Sequence, residues 1–263
     1  MRLLASQRPL GAGLDIAVMG CSKGAEVYSI VWAIRSVRPD LKLTTSAVDI
    51  CQSSLEAAKA GIYSRIVPEV WEGPRGRVSF DMFERLTDGE LAGMFEMENG
   101  QAKVRPWLRE GIVWQNGDAA DAGFTSRFSP QDIVVANRFL CHMEPKAAER
   151  CLRNVARLVK PGGHLFVSGV DPDVRTRVAR ELGWKPVTAL LRDIYEGDAD
   201  SLRDAWPLQY WGAEPLCRDR PDWQTYYASV FQVGERLDTG SDLVQTGRPG
   251  EERGGSPAPA FIY

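Results

Sequence analysis

The sequence predicts an α/β fold in which helices flank a mostly parallel central sheet that carries a small inserted subdomain. Short, continuously apolar runs, typical of strands buried on both faces, alternate with segments whose apolar residues recur at helical spacing. This alternation is typical of right-handed βαβ units. The 263 residues are 44% hydrophobic and 25% charged, which is ordinary for a globular protein with a sizeable core.

The predicted strands are apolar runs such as LDIAVM, DIVVA and HLFVSGV. Each of the first four is followed by a glycine or a polar residue, where the chain leaves the sheet. The last predicted strand directly precedes the polar, glycine- and proline-rich C-terminal segment. In chain order, the predicted strands cover residues 14–19, 41–48, 112–114, 132–136, 164–170 and 226–233.

The predicted helices each place apolar residues on one face, at spacings of three and four. Pro39 stops the first helix, and Gly61 closes the second. The segment Pro161-Gly162-Gly163 turns the chain before the fifth strand. In chain order, the predicted helices cover residues 25–37, 53–60, 145–159, 173–182 and 187–195.

The segment 64–111 breaks this rhythm, because it is rich in glycine, proline and charge while apolar residues still interrupt it. We predict an inserted subdomain with short strands near 78–80 and 103–106 and a helix over 88–95. The domain organisation expected from the sequence is therefore a core over 1–171 that includes this insert, an extension over 172–234 and a tail over 235–263. The tail lacks a periodic apolar face, so we expect it to be disordered.

The extension is rich in aromatic residues. Packing against the sheet explains them, and a lid over a substrate is the alternative. These residues are Trp206, Tyr210, Trp211, Trp223, Tyr226 and Tyr227.

Composition excludes several classes of function. The net charge of -3 argues against a nucleic-acid partner, because such binding depends on surplus positive charge. We find no apolar run long enough to span a membrane and no secretory signal. The five cysteines are widely spaced, which predicts reduced thiols, a cytoplasmic protein and no metal site.

Polar or glycine-rich residues stand directly after the predicted strands, where ligands of open α/β sheets bind. Residues 20–24 lack both the P-loop pattern and G-x-G-x-x-G, and their alternative explanation is a tight turn without a ligand. Asp49 suits a ribose diol or a helix cap, and Asp118 suits an adenine amino group or a turn. Asn137 and Arg138 follow the fourth strand. Together they predict a pocket for an adenosine-type ligand without phosphates.

Four segments resemble motifs of the chemotaxis-receptor methyltransferases, the CheR family, in matching order and spacing. GCSKGAEVYS at 20–29 resembles GCSTGEEPYS, and AVDI at 47–50 with LEAAKAGIY at 55–63 resembles TDID…LEKARAGIY. DIVVANRFLCHM at 132–143 resembles DLIFCRNVLIYF, and KPGGHLF at 160–166 resembles KPGGYLF. The resemblance covers about residues 16–169. It implies a Rossmann-like class I methyltransferase that uses S-adenosylmethionine.

The resemblance also implies roles for individual residues around that cofactor. Gly20, Ser22 and Gly24 would line its methionine end, with Glu26 beside them. Asp49 would hold the ribose, with Ile50 next to it in the motif. Asp118 and Ala119 match a pair near the adenine, and Asn137 and Arg138 match an Arg-Asn pair in reversed order. All ten are predicted cofactor-binding residues.

This chain departs from the family pattern at two places that bear on the substrate. About fourteen residues precede the first predicted strand, so we expect the family's N-terminal helical domain to be missing. His142 stands where the family has a tyrosine near the transferring methyl group. We hypothesise that His142 is catalytic and orients the acceptor or takes its proton; packing after a strand is the alternative.

The sequence therefore favours an S-adenosylmethionine-dependent methyltransferase, with a protein carboxylate or a small molecule as the oxygen acceptor. A carboxylate acceptor needs no base, whereas a base accelerates transfer to a hydroxyl by roughly 10²–10⁴-fold. The alternative is a non-catalytic, cofactor-binding regulatory module that kept the fold. A nicotinamide-dependent oxidoreductase is disfavoured because G-x-G-x-x-G is missing after the first strand.

Overall fold

A seven-stranded, mostly parallel sheet forms the centre of the molecule in the computed structural model, as the strand pattern predicts. The structure describes residues 1–66, 69–73, 76–80, 83, 86–197 and 216–234. The strands of the central sheet are β1 (Gly13–Met19), β2 (Lys42–Asp49), β8 (Ile112–Asn116), β9 (Gln131–Asn137), β10 (Val159–Ser168), β11 (Lys185–Pro186) and β12 (Val230–Gln232).

The strand order is β11-β12-β10-β9-β1-β2-β8. The pairs among β8, β2, β1, β9 and β10 are parallel, and β12 runs antiparallel to both β10 and β11. Because β2 and β9 pair with opposite sides of β1, the strand order reverses there. In open α/β sheets this reversal opens a crevice beyond the carboxyl ends of the strands.

Helices connect these strands and cover both faces of the sheet. They are α1 (Arg2–Ser6), α2 (Ala25–Arg35), α3 (Gln52–Ala60), α4 (Asp88–Met94), α5 (Pro106–Arg109), α6 (Ala122–Thr125), α7 (Pro145–Ala156), α8 (Pro172–Glu181), α9 (Leu191–Gly197) and α10 (Trp223–Tyr227), with a 3₁₀ helix at Leu140–His142.

The central strands are apolar throughout because each face packs against helices. In β1, Ile16 and Val18 join a buried cluster that includes the apolar face of α2. Ala17 and Met19 point the other way and join a cluster that includes Leu152 of α7. The successive side chains of a strand point to opposite faces, so a sheet covered on both faces needs apolar residues at every position. The α/β expectation is thereby confirmed.

Two smaller sheets lie between β2 and β8 in the sequence, in the region of the predicted insert. One has the order β3-β7-β6, and the other is the pair β4-β5. The predicted short strands and helix correspond to β5, β7 and α4; β3, β4 and β6 were not expected from the sequence. The strands of these sheets are β3 (Ile62–Ser64), β4 (Glu69–Gly73), β5 (Gly76–Phe80), β6 (Phe95–Glu98) and β7 (Gln101–Val104).

The predicted strand over 226–233 is wrong in its first half. Tyr226 lies in the helix α10 rather than starting a strand, and its amide donates to the Asp222 carbonyl at 2.9 Å. Tyr226 and Tyr227 are both buried and pack against the core from the helix α10. The strand proper is only β12. The predicted turn at 161–163 is also wrong: these residues lie within β10, where the pairing with β9 shifts register between Val159 and His164.

The predicted helix over 187–195 starts later, at Leu191, because Lys185 and Pro186 pair with β12 and the Val187 amide donates to the Val230 carbonyl at 2.9 Å. The helix α1 was not predicted. The expected tail over 235–263, and Trp206, Tyr210 and Trp211, lie outside the described residues. Among the helices that the structure describes, none has the length and apolar character needed to cross a membrane.

Candidate cofactor site

The loop after β1 has a left-handed backbone at three of its five residues. Gly20, Ser22 and Gly24 have φ angles of 68°, 47° and 83°. A side chain on Gly20 would meet Phe139 at 2.8 Å, and one on Gly24 would meet Trp114 at 2.7 Å. Both positions therefore require glycine, because the loop backbone packs directly against neighbouring side chains.

The carboxylate of Asp49 holds this loop in place from the end of β2. Its Oδ2 accepts the amide of Ser22 at 2.6 Å, and its Oδ1 accepts the amide of Cys51 at 2.8 Å. Burial and then the negative charge of Asp49 raise the pKa of the Cys21 thiol far above its usual value, so Cys21 stays a neutral, buried packing residue. Asp49 thus joins two loops and still has a free lone pair on each oxygen.

A second polar group forms between the first turn of α2 and the ends of β9 and β10. The Asn137 side chain donates from Nδ2 to Glu26 Oε1 at 2.7 Å. The Ser168 hydroxyl donates to Asn137 Oδ1 at 3.0 Å. Burial raises the pKa of Glu26, while the Asn137 hydrogen bond and the charge of Arg138 act against this rise.

The structure separates the roles of the reversed pair Asn137 and Arg138. Asn137 reaches Glu26 with its side chain. Arg138 has a left-handed backbone, with φ 57°, and its amide donates to the Ser168 carbonyl at 3.0 Å. Gly169, also left-handed, lies so close that a Cβ there would be 2.7 Å from the Arg138 Cα.

The end of β8 adds the residues predicted near the adenine. Asn116 donates from Nδ2 to the carbonyls of Asp49 and Ile50, at 3.2 and 2.9 Å, which ties β8 to the end of β2. Ile50 itself is 62% exposed. Asp118 is exposed, and its Oδ1 accepts the amide of Ala120 at 2.8 Å.

Ala119 is buried rather than lining the crevice. Its carbonyl accepts a hydrogen bond from the buried Asn154 side chain at 2.8 Å, and Asn154 in turn accepts from Thr125 at 2.9 Å. Asn154 therefore sets the position of this segment from α7. Sequence reasoning missed it, because it is one polar residue within the apolar face of a helix.

His142 is the exposed last residue of the 3₁₀ helix that follows β9. Its amide donates to the Phe139 carbonyl at 3.2 Å. Desolvation by neighbouring atoms lowers the pKa of its imidazole, which favours the neutral form that can accept a proton at neutral pH.

Nine of the ten predicted cofactor residues thus lie at or shortly after the carboxyl ends of β1, β2, β8 and β9, although Ala119 among them is buried, and the tenth, Glu26, lies in the first turn of α2. Direct hydrogen bonds join Ser22 to Asp49 and Asn137 to Glu26. Sequence reasoning also missed Asn116 and Ser168. Both stand at strand ends in the printed sequence, which is the one signal that could have singled them out.

Comparison with known proteins places these residues in a family context. The chain is 28% identical over 210 residues to "Uncharacterized 104.1 kDa protein in hypE 3'region" of Rhodobacter capsulatus, covering 74% of this chain and 20% of that protein. It is 23% identical to "Probable biofilm formation methyltransferase WspC" of Pseudomonas aeruginosa, covering 75% of this chain and 42% of that protein. It is 25% identical to a chemotaxis protein methyltransferase of Vibrio parahaemolyticus, covering 64% of this chain and 56% of that protein.

The chain therefore spans about half or less of the length of most of these relatives. The family described as "CheR methyltransferase, SAM binding domain" matches residues 3–175, a range that contains every strand-end residue described above. Its cofactor is S-adenosylmethionine. The chain belongs to the CheR methyltransferase family through this S-adenosylmethionine-binding domain.

Proposed function

We propose that this domain holds S-adenosylmethionine at the carboxyl ends of β1, β2, β8 and β9 and transfers its methyl group to an oxygen acceptor, either a protein carboxylate or a small molecule. One observation carries the proposal. In a chain of the CheR family, the Asp49 carboxylate accepts an amide of the left-handed loop after β1, and the Glu26 carboxylate, in the helix that follows this loop, accepts from Asn137 at the end of β9.

The chemistry of the donor set fits the cofactor. Asp49 has a spare lone pair on each oxygen for the two hydroxyls of a ribose, although its carboxylate already accepts two amides. Glu26 uses Oε1 toward Asn137, and its other oxygen suits the ammonium group of a methionine moiety. The exposed apolar side chain of Ile50 suits one face of an adenine ring, and Asp118 suits its amino group.

Bound S-adenosylmethionine supplies a methyl group activated on a positively charged sulfur. In this proposal His142 orients the acceptor oxygen or takes its proton, supported by its position after β9 and by the lowered pKa of its imidazole. The oxygen acceptor is supported by the glutamate-type chemistry that the family resemblance implies. A cytoplasmic location belongs to the same proposal and is supported by five free thiols.

Calorimetry with S-adenosylhomocysteine tests the cofactor site. We expect the wild-type protein to bind and Asp49→Ala to lose most of its affinity, because both the ribose acceptor and the clamp on Ser22 are removed. Asp40→Ala is the matched control, since Asp40 also accepts a backbone amide, that of Gly11 at 2.8 Å, but lies before β2 at the opposite edge of the sheet. Absence of binding by folded wild-type protein would refute the proposal.

The proposed role of His142 is tested by His142→Phe in a turnover assay that measures release of S-adenosylhomocysteine. We expect a lower kcat by about 10²-fold or more if the acceptor is a hydroxyl, with loss of the acidic limb of the pH profile. An unchanged kcat and pH profile would assign His142 to packing.

A second candidate is a regulatory module that binds the cofactor without transferring its methyl group. The reversed Asn137–Arg138 pair and His142 in place of a tyrosine favour it. Incubation of the protein with labelled S-adenosylmethionine and a pool of cell extract separates the two candidates. Binding without transfer of label supports the module, and transfer supports the enzyme.

A further inference from the structure

The polar group formed by Glu26, Asn137 and Ser168 extends the proposed site to a residue outside the family motifs. We propose that Ser168 is a positioning residue: its hydroxyl fixes the Asn137 amide so that Asn137 holds the Glu26 carboxylate toward the amino group of the methionine moiety. This inference rests on the proposed function, which places Glu26 at that end of the cofactor.

The three side chains come from distant parts of the sequence and meet at one place. Ser168 ends β10, Asn137 ends β9, and Glu26 lies in the first turn of α2. The two hydrogen bonds that join them measure 3.0 and 2.7 Å. All three side chains are half-buried, so solvent competes only partly for these bonds and the geometry persists in solution.

The direction of each hydrogen bond follows from the chemistry of the groups. An ionised carboxylate only accepts, so Asn137 must turn its NH₂ group toward Glu26. The amide oxygen then faces Ser168, whose hydroxyl is free to rotate and donate to it. Without that hydroxyl, the amide oxygen loses its donor, and Asn137 gains rotational freedom at the bond that holds Glu26.

Ser168 also fixes the neighbouring residue through its backbone. Its carbonyl accepts the amide of Arg138 at 3.0 Å, and the charge of Arg138 lowers the pKa of Glu26. One residue at the end of β10 therefore contacts both members of the reversed pair. Its side chain orients Asn137, and its main chain holds Arg138 in its left-handed conformation.

The charge state of Glu26 provides a readout that simple packing would not move. The groups that face Glu26 are Asn137 and Arg138 from the end of β9 and Cys21 from the loop after β1. The Asn137 bond lowers the pKa of Glu26 against the effect of burial. Weakening that bond raises the pKa of Glu26. Because the proposed site needs the ionised carboxylate, its affinity for the cofactor then begins to fall at a higher pH when the pH is lowered.

The experiment is calorimetry with S-adenosylhomocysteine between pH 5 and pH 8. We expect Ser168→Ala to bind about 2- to 12-fold more weakly, the range of one net hydrogen bond, with the largest loss at low pH and the pH midpoint shifted upward. Ser168→Thr keeps the hydroxyl and should restore both the affinity and the midpoint. Ser46→Ala, which removes a half-buried serine hydroxyl from β2 of the same sheet, should match the wild type.

The outcomes separate this inference from the proposed function. Suppose that the wild type binds, that Asp49→Ala binds poorly, and that Ser168→Ala matches Ser46→Ala in affinity and pH midpoint. Ser168 then has no positioning role, whereas the proposed cofactor site is supported. If the folded wild type does not bind, both fall together. Thermal unfolding reports whether Ser168→Ala folds; if it does not, Ser168→Cys, of similar size and a weaker donor, carries the same comparison.

Discussion

Ser22 and Arg138 adopt left-handed backbone conformations at the cofactor edge, with φ angles of 47° and 57°. Residues with a side chain avoid this region because Cβ approaches the following carbonyl, and such conformations persist only where the surroundings over-determine them. Here Asp49 accepts the Ser22 amide, and the Ser168 carbonyl accepts that of Arg138. The strand ends hold the backbone in a conformation that the loop residues alone would not choose.

Gly24→Ala tests how tightly the loop is held. The substitution places a Cβ 2.7 Å from Trp114 and 2.9 Å from Ala58 at a positive φ, so we expect a loss of about 1–3 kcal/mol in the free energy of unfolding. Urea denaturation measures it. Gly89→Ala is the control: it lies in α4 with open space around its Cβ and should be neutral or stabilising by up to about 1 kcal/mol. Equal stabilities for the two variants would contradict this account of the loop.

Glu26 is predicted to limit stability at neutral pH. Burial raises its pKa above the ordinary value of 4.5, so the native state binds more protons than the unfolded state in that range. The free energy of unfolding therefore falls as pH rises from 4.5 through the raised pKa. We expect Glu26→Gln to remove this fall while weakening binding of S-adenosylhomocysteine. Denaturation curves at several pH values check it, and an unchanged pH dependence would contradict it.

At the scale of elements, α7 does more than cover the sheet. Its apolar face packs Leu152 and Val155 into the core, while Asn154 on the same side bonds Thr125 of α6 and the Ala119 carbonyl after β8. A buried polar group is tolerated where its hydrogen bonds are made. The helix thus couples core packing to the placement of the segment after β8 that is proposed to lie near the adenine.

Asn154→Ala is expected to affect both properties. It removes the Asn154 hydrogen bond to the Ala119 carbonyl and leaves the Thr125 hydroxyl only the carbonyls of Asp121 and Ala122. This should lower the free energy of unfolding by about 1–3 kcal/mol and weaken S-adenosylhomocysteine binding. Chemical denaturation and calorimetry provide the two measurements. Arg150→Ala on the exposed side of α7 should change neither. Loss of stability with full affinity would show that Asn154 serves the core alone.

At the scale of the whole molecule, the two edges of the sheet are specialised differently. The carboxyl edge carries the proposed cofactor residues, and the amino edge carries an ion network. There Asp132 accepts from Arg8 at 2.7 Å and from Lys160 at 3.2 Å, and Lys160 also reaches Asp15 at 3.0 Å. This network joins the segment before β1 to the starts of β1, β9 and β10.

Asp132→Asn should destabilise the fold without affecting the site. Burial acts to raise the pKa of Asp132, but the Asp15 amide and the Arg8 and Lys160 cations lower it below its ordinary 3.8. The stabilisation is therefore present above pH 3.8 and lost as pH falls through the lowered native pKa. We expect a loss of about 1–3 kcal/mol at neutral pH with unchanged affinity for S-adenosylhomocysteine. A large drop in affinity would show that the two edges are coupled.

Much of the fold could be predicted because its signals are local along the chain. The runs LDIAVM and DIVVA predict strands buried on both faces, and they became β1 and β9. The end of the sheet was harder, because β11 and β12 cover only two and three residues and too few side chains remain to show a period. Tyr226 is apolar enough for a strand, but in the structure it packs on the core from the short helix α10.

The sequence by itself determined the α/β class, the strand ends at which we propose that the cofactor binds, and the motifs that match the CheR family. Only the tertiary structure decided which of those residues touch: that Asp49 clamps Ser22, that Asn137 rather than Arg138 bonds Glu26, and that Ser168 and Asn154 support the site from β10 and α7. The physical reason is distance along the chain. Apolar periodicity is a property of neighbouring residues, whereas a hydrogen bond between residues 111 positions apart exists only once strand order and helix packing bring them together.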